Sequence, residues 1–150
     1  LEGSAAVGKT YKSGTALDDL KTQSIGASYN FGSVYVVAAY EKSEYSTRDR
    51  ELITLGVRVP VGQGRFKAQY AKASGTGPTN RLQQYDATLL GVGYDHSLSR
   101  RTRLYVNYGT INNDGTTVTG ATYTTTSNGP SGIGRGETST GYQFGVRHSF

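Results

Sequence analysis

In this 150-residue sequence, five charged residues have the side chains and positions that could serve a chemical function. Each occupies a polar position in a stretch where polar and apolar residues alternate: Arg58, Lys67, Arg103, Arg147 and Asp95. Cationic side chains along one wall of a water-filled passage would concentrate anions and repel cations over a Debye length, about 8–10 Å at moderate salt. The chemistry they predict is electrostatic selection of ions, without a covalent step.

The sequence offers no arrangement of residues for catalysis. His96 and His148 are isolated and lack the paired spacing of metal ligands, and the chain contains no Cys for a disulfide or a thiolate site. The glycine-rich stretch 132–136 is similar to a phosphate loop in composition only, since no strand–turn–helix context surrounds it. We therefore predict no enzyme, no metal site and no cofactor.

Alternation of apolar and polar residues runs along most of the chain and predicts seven strands. The predicted strands cover residues 23–31, 34–46, 51–60, 65–71, 88–95, 102–110 and 142–150. Residues 4–11 form either an eighth strand or part of a loop. Helical periodicity is missing from every full window, so the predicted class is all-β, antiparallel and up-and-down.

The connections between these strands differ systematically in length. Tight turns alternate with longer connections that grow to about 25 residues at 113–137, and the alternation is weakest at the short connection 47–50. Alternate connections of an up-and-down sheet lie at opposite ends, so one end has short turns and the other has long loops. Outer-membrane barrels have this asymmetry, with short periplasmic turns and long extracellular loops. We therefore expect 113–137 to be extracellular and the C-terminal Phe150 to be periplasmic.

The composition fits a sheet that separates lipid from water. Only 35% of the residues are hydrophobic, and no apolar run approaches the roughly 20 residues that a membrane-spanning helix needs. A spanning strand needs about 9–11 residues, with one apolar face when the other face lines water. All backbone groups must then pair within the sheet, which requires a closed transmembrane β-barrel.

Aromatic residues fall into two groups along the strands. One group lies near the short turns and the other near the long connections: Tyr29, Phe31, Phe66, Tyr94 and Phe150, and then Tyr40, Tyr70, Tyr108 and Tyr142. Aromatic rings gather at both interfaces of a membrane, where the ring meets acyl chains and a hydroxyl meets water. The two groups are predicted to form the aromatic girdles of the barrel.

Three segments of the sequence resemble a known family. The C-terminal GYQFGVRHSF resembles the closing strand of general Gram-negative porins, in which a terminal Phe after alternating apolar residues is read by the barrel-assembly machinery. Four residues match that signal and His148 departs from it: Tyr142, Phe144, Val146 and Phe150. Residues 89–114 (LLGVGYDHSLSRRTRLYVNYGTINND) and 25–43 (IGASYNFGSVYVVAAYEKS) are similar to hairpins of β-proteobacterial porins.

The resemblance covers about residues 20–150 and implies both an architecture and a function. It implies that residues 1–150 are part of one porin domain, the C-terminal seven or so strands of a sixteen-stranded barrel that assembles as a homotrimer. It implies a channel in the outer membrane of a Gram-negative bacterium for passive diffusion of small hydrophilic solutes and ions, with a preference for anions. The implied partners are outer-membrane lipid, lipopolysaccharide and the barrel-assembly machinery, with no nucleic acid.

Two other classes of protein share parts of the pattern. With residues 4–11 as a strand, the chain would be a complete eight-stranded barrel that acts as an anchor or adhesin without a channel. Against this, several inward positions carry residues too small to fill a narrow interior: Gly26, Ser28, Gly56, Gly91, Gly93 and Gly145. A module that binds nucleic acid or anionic glycans would explain the net charge of +5, but the basic residues are spread along strands and turns instead of forming a patch.

Overall fold

Eight strands make up the part of the chain that a computed structural model describes, residues 2–10, 20–45, 48–76, 86–114 and 136–150. Each strand pairs antiparallel with its neighbour in the sequence, so the order in the sheet is the order along the chain. The strands are β1 (Glu2–Thr10), β2 (Leu20–Asn30), β3 (Tyr35–Tyr45), β4 (Arg48–Val61), β5 (Gly64–Thr76), β6 (Asp86–Ser97), β7 (Thr102–Asp114) and β8 (Thr138–His148). The predicted all-β, antiparallel up-and-down architecture is confirmed. None of the described residues belongs to a helix long and apolar enough to cross a membrane.

The segment at residues 4–11, which the sequence left open, is largely a strand. β1 pairs with β2 over nine residues, so the sheet has eight strands where the alternation predicted seven. The sequence of β1, EGSAAVGKT, is rich in Gly, Ala and Ser. These residues give little contrast between apolar and polar positions, and the alternation is therefore hidden.

Most strands extend farther toward the long connections than the alternation predicts. β7 continues to Asp114 and β8 begins at Thr138, because backbone pairing continues where both faces carry polar residues and the period-two contrast fades. β8 ends at His148, so Phe150 follows the strand instead of forming its last residue. Of the predicted extracellular loop, residues 115–135 lie outside the described part of the chain.

The register gives the sheet two chemically different faces. Directly paired residues project to the same side of an antiparallel sheet. Ile25, Tyr40 and Ile53 are paired in this way and belong to one face, whereas the paired Arg58 and Lys67 belong to the other. A depression of ≈ 480 Å³ lies over the side of Arg58 and Lys67. We call this side the concave face and the opposite side the convex face.

The convex face is apolar and exposed over the part of the sheet nearer the short turns, which is the reverse of a soluble sheet. It carries charged residues only toward the long connections. Ile25, Leu55 and Phe144 leave 60%, 48% and 78% of their surface exposed. Four apolar residues of the described part are buried, three of them alanines, and all four lie on the concave face: Ala71, Ala73, Ala87 and Ile111. A sheet in water covers its apolar face and exposes the polar one. The convex face is therefore built for a non-aqueous environment.

Three short turns join the strands at one end of the sheet, at residues 31–34, 62–63 and 98–101. Gly32 and Gly62 have φ angles of 87° and 58°, in the left-handed region that favours glycine. The Asn30 side-chain oxygen accepts a hydrogen bond from the Gly32 N–H at 2.9 Å. In the third turn, Ser99 Oγ accepts one from the Thr102 N–H at 3.0 Å. These local bonds help to fix the register of the first and third hairpins.

The short turns are staggered in the way that tilted strands require. One row of directly paired residues crosses the sheet through Asn30, Arg58 and Gly93. The turn centres lie two to three residues beyond this row in the first turn, four to five in the second and six to seven in the third. The step is thus one residue per strand. With about 3.3 Å per residue and about 4.8 Å between strands, it corresponds to a tilt of about 35° when the turns lie at one level, within the range of transmembrane barrels.

Gly64 is where two strands approach most closely beside a short turn. A Cβ atom added at Gly64 would lie 2.5 Å from the backbone carbonyl oxygen of Asp95 and 2.6 Å from Cζ of Tyr94. The Tyr94 ring extends over this glycine on the convex face and packs against the Phe66 ring, with 4.7 Å between the ring centroids. The missing side chain at Gly64 therefore makes room for an aromatic ring.

Gly64→Ala is expected to lower the free energy of unfolding by about 1–3 kcal/mol, because the new methyl group must displace a backbone oxygen as well as a ring. The matched control is Gly91→Ala, whose Cβ would meet no atom closer than 3.9 Å. Urea unfolding of the full-length protein in lipid vesicles gives the comparison. Equal stability of the two variants would show that the close approach at Gly64 is unimportant.

Candidate functional site

A buried carboxylate holds two cations together on the concave face. Asp95 on β6 is only 7% exposed. Lys67 Nζ lies 2.7 Å from its Oδ1, and Arg65 Nε donates to its Oδ2 at 3.0 Å. Arg65 is the direct cross-strand partner of Asp95, and Lys67 reaches it diagonally because its own partner is Gly93, which has no side chain. The cluster carries one net positive charge.

Arg58 adds a second positive charge beside this cluster. It lies directly opposite Lys67 on the neighbouring strand, and its guanidinium is 4.6 Å from the centroid of the Tyr35 ring. A cation over an aromatic face is held by the ring quadrupole without losing its charge. Arg58 and Lys67 both line the ≈ 480 Å³ depression, together with Gln69 and Asn107. A dissolved anion in this depression would therefore meet positive charge and polar amide groups.

Arg103 and Arg147 place two more positive charges on the concave face. They are direct cross-strand partners on β7 and β8, and Ser97 pairs with Arg103 on the other side. Neither arginine forms an ion pair with a carboxylate of the described residues. Like charges placed directly opposite each other repel. The pair thus makes a local site of positive potential.

All five charged residues selected from the sequence lie on the concave face, which the register brings together on five neighbouring strands. The sequence analysis missed Arg65, the second partner of Asp95. Its position two residues before Lys67 was a usable signal, since it gives both side chains the same facing. The part that these residues play in ion selection stays a prediction.

The predicted girdle residues on the strands lie on the convex face in two groups. Tyr29, Phe31, Phe66 and Tyr94 lie one to five residues from the nearest short-turn centre, whereas Tyr40, Tyr70 and Tyr108 lie seven or eight residues away. Within the first group, the rings of Tyr29 and Phe31 are 4.4 Å apart and perpendicular within 20° (interplanar angle 70°). The two levels are about four residues apart, or about 12 Å along the barrel axis, which is only about half of the roughly 25 Å band that girdles flank. The position of both groups at membrane interfaces stays a prediction.

The residues of the predicted assembly signal are exposed on the last strand and just beyond its end. Tyr142, Phe144 and Val146 are exposed on the convex face, and Phe150 is exposed beyond the strand end. His148, the departure from the family pattern, lies on the same face with Nδ1 2.9 Å from Thr102 Oγ1, and its ring is 4.8 Å from that of Phe150. The histidine thus joins the aromatic series at the strand end. Recognition by an assembly factor stays a prediction.

Asp95→Asn is expected to lower the free energy of unfolding by about 1–3 kcal/mol, because two cations lose the carboxylate that holds them. The control is Glu44→Gln, which removes the acidic partner of the partly exposed Lys42–Glu44 pair (2.8 Å) and should change stability little. Both are measured by urea unfolding of the full-length protein in vesicles. A larger loss for Glu44→Gln would contradict the structural weight given to Asp95.

Comparison with known proteins agrees with the fold. Residues 1–116 match the family model of Gram-negative porins. The chain is 32% identical over 147 residues to outer membrane porin protein 32 of Delftia acidovorans. The match covers 91% of this chain but only 40% of that relative. The chain thus spans about 40% of the length of the relative. These matches confirm the resemblance drawn from the sequence and the outer-membrane location. The chain therefore belongs to the family of Gram-negative porins, β-barrel proteins of the outer membrane.

Proposed function

We propose that this chain forms part of the wall of a water-filled channel, through which small hydrophilic solutes and ions diffuse passively with a preference for anions. The inversion of the two faces carries the proposal. Apolar side chains such as Leu55 and Phe144 are exposed on the convex face, while the concave face carries charged, polar and small residues. Lipid outside and water inside would satisfy both faces together.

The open edges of the sheet support a barrel larger than this chain. In the described residues, β1 and β8 pair with only one strand each and not with each other. Unpaired backbone groups are costly in a bilayer, so further strands must complete the ring. Sixteen strands, as expected from the resemblance, fit eight described strands in a chain that spans 40% of its relative. The homotrimer is proposed from the resemblance alone. A closed eight-stranded anchor would require β1 to pair with β8.

The width of the passage is supported by small residues on the concave face. Gly56, Gly91 and Gly109 lie in one row of directly paired positions, with Gly141 as the next member on β8. Side chains fill the interior of a small barrel, whereas wide porin barrels hold water. A wall with several missing side chains suits a wide aqueous interior, and no catalytic role is proposed for it.

The basic side chains of the concave face support the preference for anions. Arg58, Arg103 and Arg147 add to the net positive cluster around Asp95. Fixed charges that line a pore raise the local concentration of counter-ions. The remaining partners follow from the membrane setting: lipid on the convex face, lipopolysaccharide on the side of the long loops, and the assembly machinery at a periplasmic C-terminus.

Arg58→Glu in the full-length channel is expected to shift the reversal potential in a salt gradient toward cations, because two charge units change on the pore wall. Planar-bilayer recordings measure the shift. The control is Lys72→Glu, the same change of charge on the convex face, which should leave selectivity unchanged. A wild-type channel that prefers cations would refute the proposed anion preference, and an unchanged potential would remove Arg58 from the ion path.

Val106→Arg is expected to lower the free energy of unfolding in vesicles by about 2–4 kcal/mol, because an exposed convex position near the middle of the apolar band would carry a charge into lipid. Val106 is half exposed on the convex face. Gln69→Arg places the same side chain on the concave face, where water would solvate it. Urea titration in vesicles distinguishes them. Similar losses would show that the convex face does not contact lipid.

A further inference from the structure

We infer that the charged residues on the concave face of β4–β8, apart from Arg50, form one belt at a single level beside the short turns, so that this wall attracts anions mainly at the short-turn mouth of the channel. Glu41 on β3 and Arg50 lie on the same face farther toward the long connections. The inference rests on the proposed channel function and adds where along the pore selection occurs. We define the short-turn belt by its residues: Arg58, Arg65, Lys67, Asp95, Arg103 and Arg147.

The register alone suggests that these residues are scattered. Lys67 pairs with Gly93, whereas Arg103 pairs with Ser97, four residues farther along the same strand. At about 3.3 Å per residue, this separates Lys67 from Arg103 by about 13 Å along the strand direction. A flat sheet of untilted strands would therefore spread the charges over two distinct levels.

The stagger of the turns removes this separation. Counted from the nearest central turn residue, Arg58, Lys67 and Asp95 lie four residues away, and Arg65 lies two away. Arg103 lies three residues from the third turn centre, and Arg147 lies three from the C-terminal residue. Because strands tilted by about 35° bring the short turns to one level, the belt spans about 6 Å along the barrel axis. The charged residues are offset in register from strand to strand by about the amount that the strand tilt compensates.

The belt differs in charge from the wall above it. It holds five basic groups and one carboxylate, and the exposed Arg100 and Arg101 of the third turn lie just beyond it. On β1, Glu2 lies at the same level opposite Ser28, which limits the positive stretch to β4–β8. Between the belt and Arg50, the described concave positions of β4–β8 are uncharged.

Because the belt lies near one mouth of the pore, ion selectivity should depend on which side of the membrane holds the more dilute salt. Salt in the solution that bathes the belt screens it, with a Debye length of about 10 Å at 0.1 M and about 3 Å at 1 M. The salt on the long-loop side meets Arg50 and then an uncharged stretch of the described wall of β4–β8 before it reaches the belt. Selectivity should therefore depend mainly on the concentration on the short-turn side.

The test uses the full-length protein in planar bilayers with 0.1 M KCl on one side and 1 M on the other, recorded in both directions of the gradient. Gln63→Cys at an exposed position of the second turn, modified by a maleimide on a polymer too large for the pore, reports which side the short turns face. We expect the anion-to-cation permeability ratio to be at least about twofold higher when the dilute solution faces the short turns.

Arg103→Gln with Arg147→Gln should reduce the difference between the two ratios, because two of the four net positive charges of the belt are removed. The channel should stay open, since neither arginine holds a described carboxylate. The matched control is Lys21→Gln with Lys72→Gln, which removes two charges from the convex face and should preserve the difference. An anion-selective channel with equal ratios in both directions, or with the higher ratio for dilute salt on the long-loop side, would overturn the belt. A channel that prefers cations in both directions would instead refute the proposed function.

Discussion

The constraint on which the structure depends is that backbone hydrogen bonds must be completed within the sheet where one face meets hydrocarbon. A lipid bilayer offers no partner for an exposed N–H or C=O group. The apolar convex face therefore requires continuous pairing from β1 to β8, with a register that is unbroken over every described hairpin. The same constraint means that the two outer strands depend on neighbours that complete the ring.

Strand tilt then decides which residues act together. In a tilted sheet, direct cross-strand partners lie at different heights, whereas residues at one height are offset in register. Tyr29 and Tyr108 belong to one row of paired residues, yet they lie three and eight residues from their short turns. Conversely, Lys67 and Arg103 are four residues apart in register but similar in height. Residues of this wall that act together must therefore be identified by their height along the barrel axis and not by direct cross-strand pairing.

The sequence predicted the faces well because facing depends only on position parity, which the alternation of Ile53, Leu55 and Val57 makes visible. It predicted strand ends poorly because hydrogen bonding continues where side-chain contrast disappears. Pairwise contacts were beyond reach, since they require the register between strands. The bond of Arg65 to Asp95 depends on pairing across a connection that includes residues 77–85, whose length hides the partner.

Asp95 shows how the wall keeps a surplus of positive charge without losing cohesion. Arg65 and Lys67 share one face of one strand, and Arg58 faces Lys67, so three cations crowd a small area. Such neighbours repel unless a counter-charge lies between them. A single carboxylate placed between Arg65 and Lys67 offsets that repulsion at the point where it would be greatest. Because Asp95 occupies both cations at once, Arg58, Arg103 and Arg147 remain as the fixed charges whose fields act mainly on dissolved ions.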